Sequence, residues 1–362
     1  MPVPITGINA RAFVIPTDYP EADGMLEWDS TTLVLVQAEA GGEVGVGYTY
    51  ASHSAATLIN DLFPKILTRM DVIDIPICWK IMCRAVRNLG NSGQAACAVA
   101  AVDTALWDLK ARILNVSLCD LMGVAKPSVP VYGSGGFTTY DDARITEQID
   151  GWLEQGITMA KIKIGTHPEI DIDRVGTARR ALGVNPELFV DANGAYTVKQ
   201  ALAFAHRFTD YKVTWFEEPV SSDNLTGLRQ IRDAGPAGMD ITAGEYGFTL
   251  FEHRQMLDAH AVDVLQIDVT RCQGYTGFMQ AAALAQAANI PVSSHCAPAL
   301  HLPVCLHVPH LRHMEYFHDH VRIEKMLFDG APLIKEGYLV PDRAQPGHGL
   351  EFREKDAERF AV

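Results

Sequence analysis

The sequence has little of what marks secreted, membrane-spanning or nucleic-acid-binding proteins. Its seven cysteines are odd in number and form no Cys-x-x-Cys pair, so neither a disulfide framework nor a zinc finger is expected. No apolar run reaches the roughly 18 residues that a membrane-spanning helix needs, and the first residues lack a secretory signal. We therefore expect a cytoplasmic protein. A net charge of −14 argues against nucleic acid or an anionic membrane as a partner.

The length of 362 residues favours two domains, or one large barrel with an appendage. Residues 1–128 predict an α+β capping domain. Residues 31–36 and 44–50 have the pattern of two strands around a Gly-Gly turn. Residues 94–113 predict a helix that is apolar on most faces and is therefore buried.

From residue 129 onward, short strand-like runs alternate with helical stretches. Such alternation is typical of right-handed βαβ units and a parallel sheet. Eight runs predict an α/β fold, a closed TIM-type (β/α)₈ barrel in a modified form near (β/α)₇β, over residues 129–325. The runs are 129–133, 160–165, 188–191, 213–217, 240–245, 262–268, 290–295 and 313–317. We expect the loop-rich residues 326–362 to pack back on the capping domain.

Seven successive runs end in or near an ionisable residue, at intervals of 20 to 28 residues. Barrel enzymes place their active sites at the carboxyl ends of the strands. Unrelated surface charges would not be expected to keep this register, so the pattern predicts an active site. The seven residues are Lys163, Asp191, Glu217, Glu245, Asp268, His295 and Glu315.

Three of these residues, Asp191, Glu217 and Glu245, are carboxylates from consecutive strands. In a partly buried site they would repel one another strongly unless a cation lay among them. Oxygen ligands select a hard ion, so Mg²⁺ is expected and Mn²⁺ is possible. The alternatives are that Glu218 is the ligand instead of Glu217, or that both residues only cap the turn before Pro219. Asn193 would face the same way as Asp191 if the strand continued that far, and would then add a hydrogen bond to a ligand.

Lys161 and Lys163 share one face of the second barrel strand. Two neighbouring ammonium groups beside a divalent cation disfavour each other's charge, so we expect one lysine to have a lowered pKa and to act as a general base. The alternative is a solvated basic strand. Asp268 and His295 form a plausible dyad in which the carboxylate orients the imidazole. Glu315 is expected to donate a hydrogen bond to a substrate oxygen as a protonated acid, or else to form an ordinary salt bridge.

The motifs occur in a characteristic order: Lys-x-Lys, Asp-Ala-Asn-Gly, Trp-Phe-Glu-Glu-Pro, Ala-Gly-Glu, Asp-x-x-Arg followed by Gly-x-Thr-Gly, Ser-His and a final Glu. Over nearly the whole chain, the sequence resembles the mandelate racemase subgroup of the enolase superfamily, in particular its acid-sugar dehydratases. The resemblance implies Mg²⁺ on the three carboxylates and Lys163 as a base assisted by Lys161. It also implies His295, oriented by Asp268, on the opposite face, with Glu315 as an electrophile.

The resemblance further implies a homo-oligomer and two mobile cap loops, residues 17–28 and 48–53, that select the substrate. The shared reaction step is removal of the proton α to the carboxylate of a small molecule. We expect dehydration of an aldonate or aldarate to a 2-keto-3-deoxy acid. Racemisation or epimerisation, cycloisomerisation of a sugar lactone, and non-catalytic binding of a carboxylate are the alternatives.

Polar residues of the first cap loop favour a polyhydroxylated ligand, because Asp23 and Glu27 lie near Trp28. Trp28 is a candidate substrate-binding residue. Tyr132 and Ser134, at the end of the first barrel strand, are expected to donate hydrogen bonds to sugar hydroxyls.

Seven of the thirteen histidines fall between residues 295 and 320. The spacing of His307, His310 and His313 is compatible with a zinc site. Packing of these histidines in loops or at an interface, near Tyr316 and Phe317, is the simpler interpretation.

Overall fold

The computed structural model describes residues 2–362, and its first part is a three-stranded antiparallel sheet covered by helices. The strands are β1 (Ile5–Ala22), β2 (Glu27–Ala40) and β3 (Glu43–Tyr50). The helices are α1 (Ser54–Leu67), α2 (Ile75–Ala85), α3 (Gln94–Ile113) and α4 (Leu118–Met122). Helix α3 lies directly on β3, because a Cβ atom at Gly45 or Gly47 would overlap the backbone of α3.

The predicted helix α3 and β2–β3 hairpin are confirmed, whereas β1 was not among the predicted strands. The first half of β1 carries a strand signal, since Ile8, Ala10 and Ala12 alternate with polar residues and are buried against the helices. In the second half, Pro16 and Pro20 suggest a loop, yet the chain remains extended and pairs again with β2 after an irregularity in register.

Eight parallel strands follow, each hydrogen-bonded to the next in chain order, and the last pairs with the first. They are β4 (Val129–Gly135), β5 (Met159–Lys163), β6 (Glu187–Asp191), β7 (Val213–Glu217), β8 (Asp240–Ala243), β9 (Val264–Ile267), β10 (Val292–Ser294) and β11 (Leu311–Phe317). The predicted closed barrel with an N-terminal cap is confirmed.

A helix follows each barrel strand. They are α5 (Asp142–Glu154), α6 (Asp171–Leu182), α7 (Val198–Phe208), α8 (Leu225–Ala234), α9 (Leu250–Asp258), α10 (Gly274–Ala287), α11 (Pro298–His307) and α12 (His318–Leu327). None of the helices within residues 2–362 combines the length and apolar character needed to cross a membrane.

The C-terminal residues contact both the cap and the barrel. Strands β12 (Phe328–Asp329) and β15 (Glu351–Phe352) pair with each other, and β13 (Ile334–Lys335) pairs with β14 (Tyr338–Leu339), which adds to β4. A short helix, α13 (Glu354–Ala357), follows. The backbone N–H of Val362 donates to the carbonyl of Ala12 in β1, at 3.1 Å. The division of the chain at residues 128 and 325 stays a prediction.

The tip of the β1–β2 hairpin rests on the carboxyl ends of the barrel strands. The N–H of Thr138, which follows β4, donates to the carbonyl of Ala22 at 2.8 Å. A Cβ atom at Gly24 would collide with the carbonyl oxygen of Ala192, just beyond β6. The predicted cap loop at residues 17–28 is therefore mostly strand, with a tight turn at residues 23–26. The second predicted loop, 48–53, begins as the end of β3.

Candidate active site

The seven ionisable residues predicted from strand spacing lie together, each within two residues of the carboxyl end of one of the strands β5 to β11. Each is at most 5% exposed. Parallel strands deliver their carboxyl ends to one rim of a barrel, so a single mouth collects a charged group from each of these strands. Below this group the barrel interior is filled by an apolar layer of Tyr132, Phe189, Trp215 and Val264.

Asp191, Glu217 and Glu245 each place a side-chain oxygen within 4.8 Å of the others. Glu245 Oε2 is buried and accepts no hydrogen bond, although His295 Nε2 lies 3.4 Å away. Glu217 is oriented by Trp215, whose Nε1–H donates to Glu217 Oε2 at 2.9 Å. Three converging carboxylates with an unpartnered oxygen are a donor set suited to a hard divalent cation.

Glu218 is also buried, but it lies beside the three carboxylates rather than among them. Its backbone adopts the left-handed region, with φ of 36°, so the strand pleat ends after Glu217. Glu218 borders a cavity of about 460 Å³ that Asn193 and Tyr246 also line. Burial first, and then the charge of Glu245, raise the pKa of Glu218 well above its usual value.

The two lysines lie between carboxylates. Lys161 Nζ is 2.5 Å from Glu217 Oε1, 2.9 Å from Glu315 Oε1 and 3.4 Å from Asp191 Oδ2. Lys163 Nζ forms an ion pair with Asp191 Oδ2. Burial lowers the pKa of both lysines, but the neighbouring carboxylates, Glu217 for Lys161 and Asp191 for Lys163, outweigh it and raise both values. The lowered lysine pKa expected from the sequence is absent here because anions outnumber the ammonium groups.

Asp268 and His295 form the predicted pair, with 2.7 Å between Asp268 Oδ2 and His295 Nδ1. Thr270 donates to the other carboxylate oxygen from both its backbone and its hydroxyl, each at 2.7 Å. An ionised carboxylate next to Nδ1 favours a proton on that nitrogen, so Nε2 is left facing the mouth. Burial lowers the pKa of His295, but the charge of Glu245 and the hydrogen bond to Asp268 outweigh it and raise the pKa.

Glu315 lies among three donors. Ser134 Oγ donates to Oε1 at 2.6 Å, the N–H of Cys296 donates to Oε2 at 2.7 Å, and Lys161 Nζ lies 2.9 Å from Oε1. Burial raises the pKa of Glu315, but Lys161, His295, Lys163 and the hydrogen bond from Ser134 together outweigh burial, and the pKa falls well below its usual value. Glu315 therefore forms, with Lys161, the salt bridge that was the alternative to a protonated acid.

Of the predicted substrate-binding residues, Tyr132, Ser134 and Trp28 have side chains that contact other protein side chains. Tyr132 lies inside the barrel, and its ring is 5.5 Å from Lys161 Nζ, while Ser134 is bonded to Glu315. Trp28 Nε1 donates to Glu21 Oε2 at 2.9 Å. Asn193 has φ of 45° and its N–H donates to Asp191 Oδ1 at 2.9 Å, so its side chain does not continue the pleat of β6. Asn193 Oδ1 is buried without a hydrogen-bond partner.

The histidine spacing does not produce a zinc site. His307 Nδ1 bonds the carbonyl of Gly123 at 3.0 Å, whereas His313 lies inside the barrel, 2.9 Å from Ser293 Oγ. His310, the middle residue of the three in the sequence, is half-buried. Among residues 2–362, the clusters of possible metal ligands do not include this trio.

Two further residues belong to the site. Arg271 Nη1 lies 3.2 Å from Glu245 Oε1, and its Nε lies 3.7 Å from Asp268 Oδ2, so one guanidinium links these two carboxylates. The Asp-x-x-Arg motif contains this arginine, but no role was predicted for it from the sequence. Cys296 Sγ lies 3.2 Å from His295 Nε2, and no sequence pattern indicated that contact.

Two known protein families match most of the chain. The family described as Enolase C-terminal domain-like matches residues 144–357, and the Mandelate racemase / muconate lactonizing enzyme N-terminal domain matches residues 13–123. A crystal structure of a mandelate racemase/muconate lactonizing enzyme-like protein from Rubrobacter xylanophilus is 46% identical, with a TM-score of 0.97 over 99% of both chains. That of a racemase from Streptomyces coelicolor with bound magnesium is 30% identical, with a TM-score of 0.93 over 99% of this chain and 100% of that one.

Characterised relatives include two kinds of sugar-acid enzyme. The 3,6-anhydro-alpha-L-galactonate cycloisomerase of Streptomyces coelicolor is 33% identical over 91% of both chains. The arabinonate dehydratase of Saccharolobus solfataricus is 28% identical over 88% of this chain and 87% of its own length. The chain thus belongs to the mandelate racemase/muconate lactonizing enzyme group of the enolase superfamily.

Proposed function

We propose that this protein removes the proton α to the carboxylate of an acid sugar, with Mg²⁺ as cofactor, and then expels an oxygen from the β-carbon. The observation that carries the proposal is the presence of two different bases beside the carboxylate trio. Lys163 contacts Asp191, and His295 Nε2 lies 3.4 Å from Glu245. Two bases beside one cation site suit a reaction in which one group takes a proton and another returns one.

Asp191, Glu217 and Glu245 would hold the cation. Their oxygens converge within 4.8 Å, and Glu245 Oε2 lacks a hydrogen-bond partner. When bound, Mg²⁺ supplies positive charge beside the substrate carboxylate and weakens the attraction of these carboxylates for the two lysines. The raised pKa of Lys163 in this structure is therefore compatible with a base in the loaded enzyme, since Asp191 is the main anion that stabilises its charge.

In the proposed dehydration, Lys163 Nζ accepts the α-proton. The electron pair of the broken C–H bond forms a double bond between the α- and β-carbons as the bond from the β-carbon to its hydroxyl breaks. Protonated His295 donates from Nε2 to that oxygen, which leaves as water. The remaining enol rearranges to a 2-keto-3-deoxy acid. Asp268 holds Nδ1 throughout and thereby keeps Nε2 directed at the substrate.

Cycloisomerisation is the second candidate, and the 33% identical cycloisomerase favours it. The same residues would remove the α-proton, but the departing oxygen would belong to a ring and stay in the product. The two reactions therefore need similar groups and differ in the leaving oxygen. Racemisation or epimerisation would follow if His295 instead returned a proton to the α-carbon.

A substrate panel distinguishes these reactions. Aldonates, aldarates, their lactones and 3,6-anhydro aldonates are incubated with enzyme and Mg²⁺, and products are analysed by mass spectrometry and a keto-acid assay. Dehydration gives a keto acid lighter by one water, whereas cycloisomerisation gives a keto acid of unchanged mass. Epimerisation incorporates deuterium from D₂O at the α-carbon without forming a keto acid.

Variants test the roles assigned to the residues. Lys163→Ala and His295→Asn are each expected to reduce turnover by about 10²- to 10⁴-fold, the usual contribution of a general acid or base. Lys199→Ala, at an exposed lysine of α7, is the matched control and should leave turnover unchanged. No product and no deuterium exchange across the panel would reject the proposal and favour a carboxylate-binding protein.

A further inference from the structure

The chain reverses direction directly after His295 and brings the next side chain back onto the imidazole. Cys296 and Ala297 adopt left-handed backbone conformations, with φ of 53° and 36°. As a result, Cys296 Sγ lies 3.2 Å from His295 Nε2. Glu315 Oε2, from the neighbouring strand β11, lies 3.9 Å from the same nitrogen. All three residues are buried, and their ligand atoms lie within 4.8 Å of one another.

We propose that His295, Cys296 and Glu315 form a binding site for a borderline-soft divalent cation such as Zn²⁺, separate from the oxygen-only trio. Zn–N and Zn–S bonds of about 2.0 and 2.3 Å in a tetrahedron imply ligand separations of roughly 3.4–3.6 Å. The observed 3.2 and 3.9 Å bracket that range. The Nε2–Sγ and Nε2–Oε2 distances would thus each need to change by a few tenths of an ångström to fit tetrahedral coordination.

The surrounding residues already orient these ligands. Asp268 accepts from His295 Nδ1 at 2.7 Å, which is the carboxylate–histidine arrangement that supports metal-bound imidazoles. Ser134 Oγ holds Glu315 Oε1 at 2.6 Å, and the N–H of Cys296 holds Oε2 at 2.7 Å. The imidazole and the carboxylate are therefore positioned before any cation arrives.

The chemistry of the donors separates this site from the carboxylate trio. A thiolate and an imidazole favour Zn²⁺, whereas oxygen ligands alone favour Mg²⁺. On binding, the Cys296 S–H bond breaks, its proton passes to solvent, and a sulfur–zinc bond forms. The thiolate and the carboxylate then carry two negative charges against the two positive charges of Zn²⁺, while Lys161 Nζ remains 2.9 Å from Glu315 Oε1.

Occupation of this site has a consequence that rests on the proposed function. Zn²⁺ on Nε2 would block the nitrogen that is proposed to carry the proton, so zinc would inhibit turnover until a chelator removed it. Binding itself does not depend on that function. A protein that binds zinc here but has no acid-sugar activity would reject the proposed reaction and leave the metal site intact.

Cobalt provides a direct spectroscopic test. Co²⁺ is titrated into wild-type protein saturated with Mg²⁺, and a near-ultraviolet band from thiolate-to-cobalt charge transfer is expected. Addition of Zn²⁺ should displace the Co²⁺ and remove the band. Cys296→Ser should abolish the band and weaken zinc affinity, measured by calorimetry, by at least about tenfold. Cys83→Ser, at a half-buried cysteine of α2 that contacts Gln273, is the matched control and should retain both properties.

Three outcomes would overturn the site: no charge-transfer band in wild type, a band that Cys296→Ser retains, or unchanged zinc affinity in that variant. The first needs no variant, so misfolding of Cys296→Ser would not protect the proposal. His295→Asn should also weaken zinc binding, and an unchanged affinity there would show that zinc binds to the carboxylate trio instead.

Discussion

Asp268 holds the imidazole of His295 through Nδ1, with 2.7 Å between the two atoms, and leaves Nε2 as the nitrogen that faces the barrel mouth. Asp268 is itself fixed by two bonds from Thr270. The aspartate therefore orients the imidazole and, together with Glu245, raises its proton affinity.

Asp268→Asn should lower turnover by about 10²- to 10⁴-fold and change its pH dependence. The hydrogen bond to Asp268 raises the pKa of His295, so its loss lowers that pKa. If His295 donates the proton to the leaving oxygen, the alkaline limb of the kcat profile moves to lower pH. The measurement is kcat against pH on the substrate identified by the panel. Asp258→Asn, at an exposed residue of α9, is the control, and an unshifted alkaline limb would contradict the role assigned to Asp268.

Magnesium should stabilise the fold, and its removal should lower Tm. A ligand at one hundred times its Kd contributes about 2.7 kcal/mol to the free energy of unfolding. Glu217→Gln should lose most of the rise in Tm on adding Mg²⁺. Glu218→Gln should keep it, because Glu218 stands beside the three converging carboxylates rather than among them. The reverse pattern in differential scanning calorimetry would identify Glu218 as the ligand.

The location of the charged groups could be predicted from sequence because it depends on a simple regularity. Each group stands at the end of a strand-like run, and parallel strands place those ends on one rim. Depth within the barrel was harder to predict. Tyr132 and Ser134 both point inward from β4, but two residues of strand separate them by about 6.6 Å. Tyr132 therefore joins the apolar layer, and only Ser134 reaches Glu315.

Protonation states could not be predicted because they depend on distances across the barrel. The sequence shows two lysines separated by one residue, but not that Lys161 contacts carboxylates from strands β6, β7 and β11. The contact between Cys296 and His295 depends on a left-handed turn without glycine, which leaves no sequence signal.

Ser134→Ala should loosen Glu315 without moving the metal. A hydrogen bond to a charged group contributes about 1.5–3 kcal/mol, but Lys161 and the N–H of Cys296 still hold the carboxylate. We therefore expect a fall in kcat of about tenfold, with Mg²⁺ affinity unchanged. Steady-state kinetics and a Mg²⁺ titration check this expectation. A loss of Mg²⁺ affinity instead would show that Ser134 acts on the carboxylate trio.

Gly24→Ala should displace the tip of the β1–β2 hairpin, because the added Cβ would collide with the carbonyl of Ala192. We expect a lower kcat/KM, with a small effect on Tm, since the tip contacts the rim rather than the core. Gly151→Ala in α5 is the matched control: nothing lies within 4 Å of its Cβ, and alanine in a helix stabilises by about 0.5–1 kcal/mol. Equal kinetics for both variants would show that the tip takes no part in catalysis.

Glu21 should make the stability of the hairpin depend on pH. Glu21 is fully buried, and its Oε2 accepts from Trp28 Nε1, while Oε1 has no partner. Burial first, and then the charges of Asp319 and Asp18, raise the pKa of Glu21 from an ordinary 4.5 to about 9. The folded protein thus keeps a proton that the unfolded chain releases above pH 4.5. The contribution of Glu21 to the free energy of unfolding is therefore complete below pH 4.5 and is lost as the pH rises to about 9.

Glu21→Gln tests this linkage because glutamine imitates the protonated acid and still accepts from Trp28. The difference in unfolding free energy between variant and wild type should grow with pH from about 4.5 to 9. Its slope has an upper limit of about 1.4 kcal/mol per pH unit. Urea unfolding at several pH values measures it. Glu27→Gln, at an exposed residue of β2, should show no such growth. A constant difference for Glu21→Gln would mean that Glu21 is ionised in the folded protein, with a cation or water satisfying Oε1.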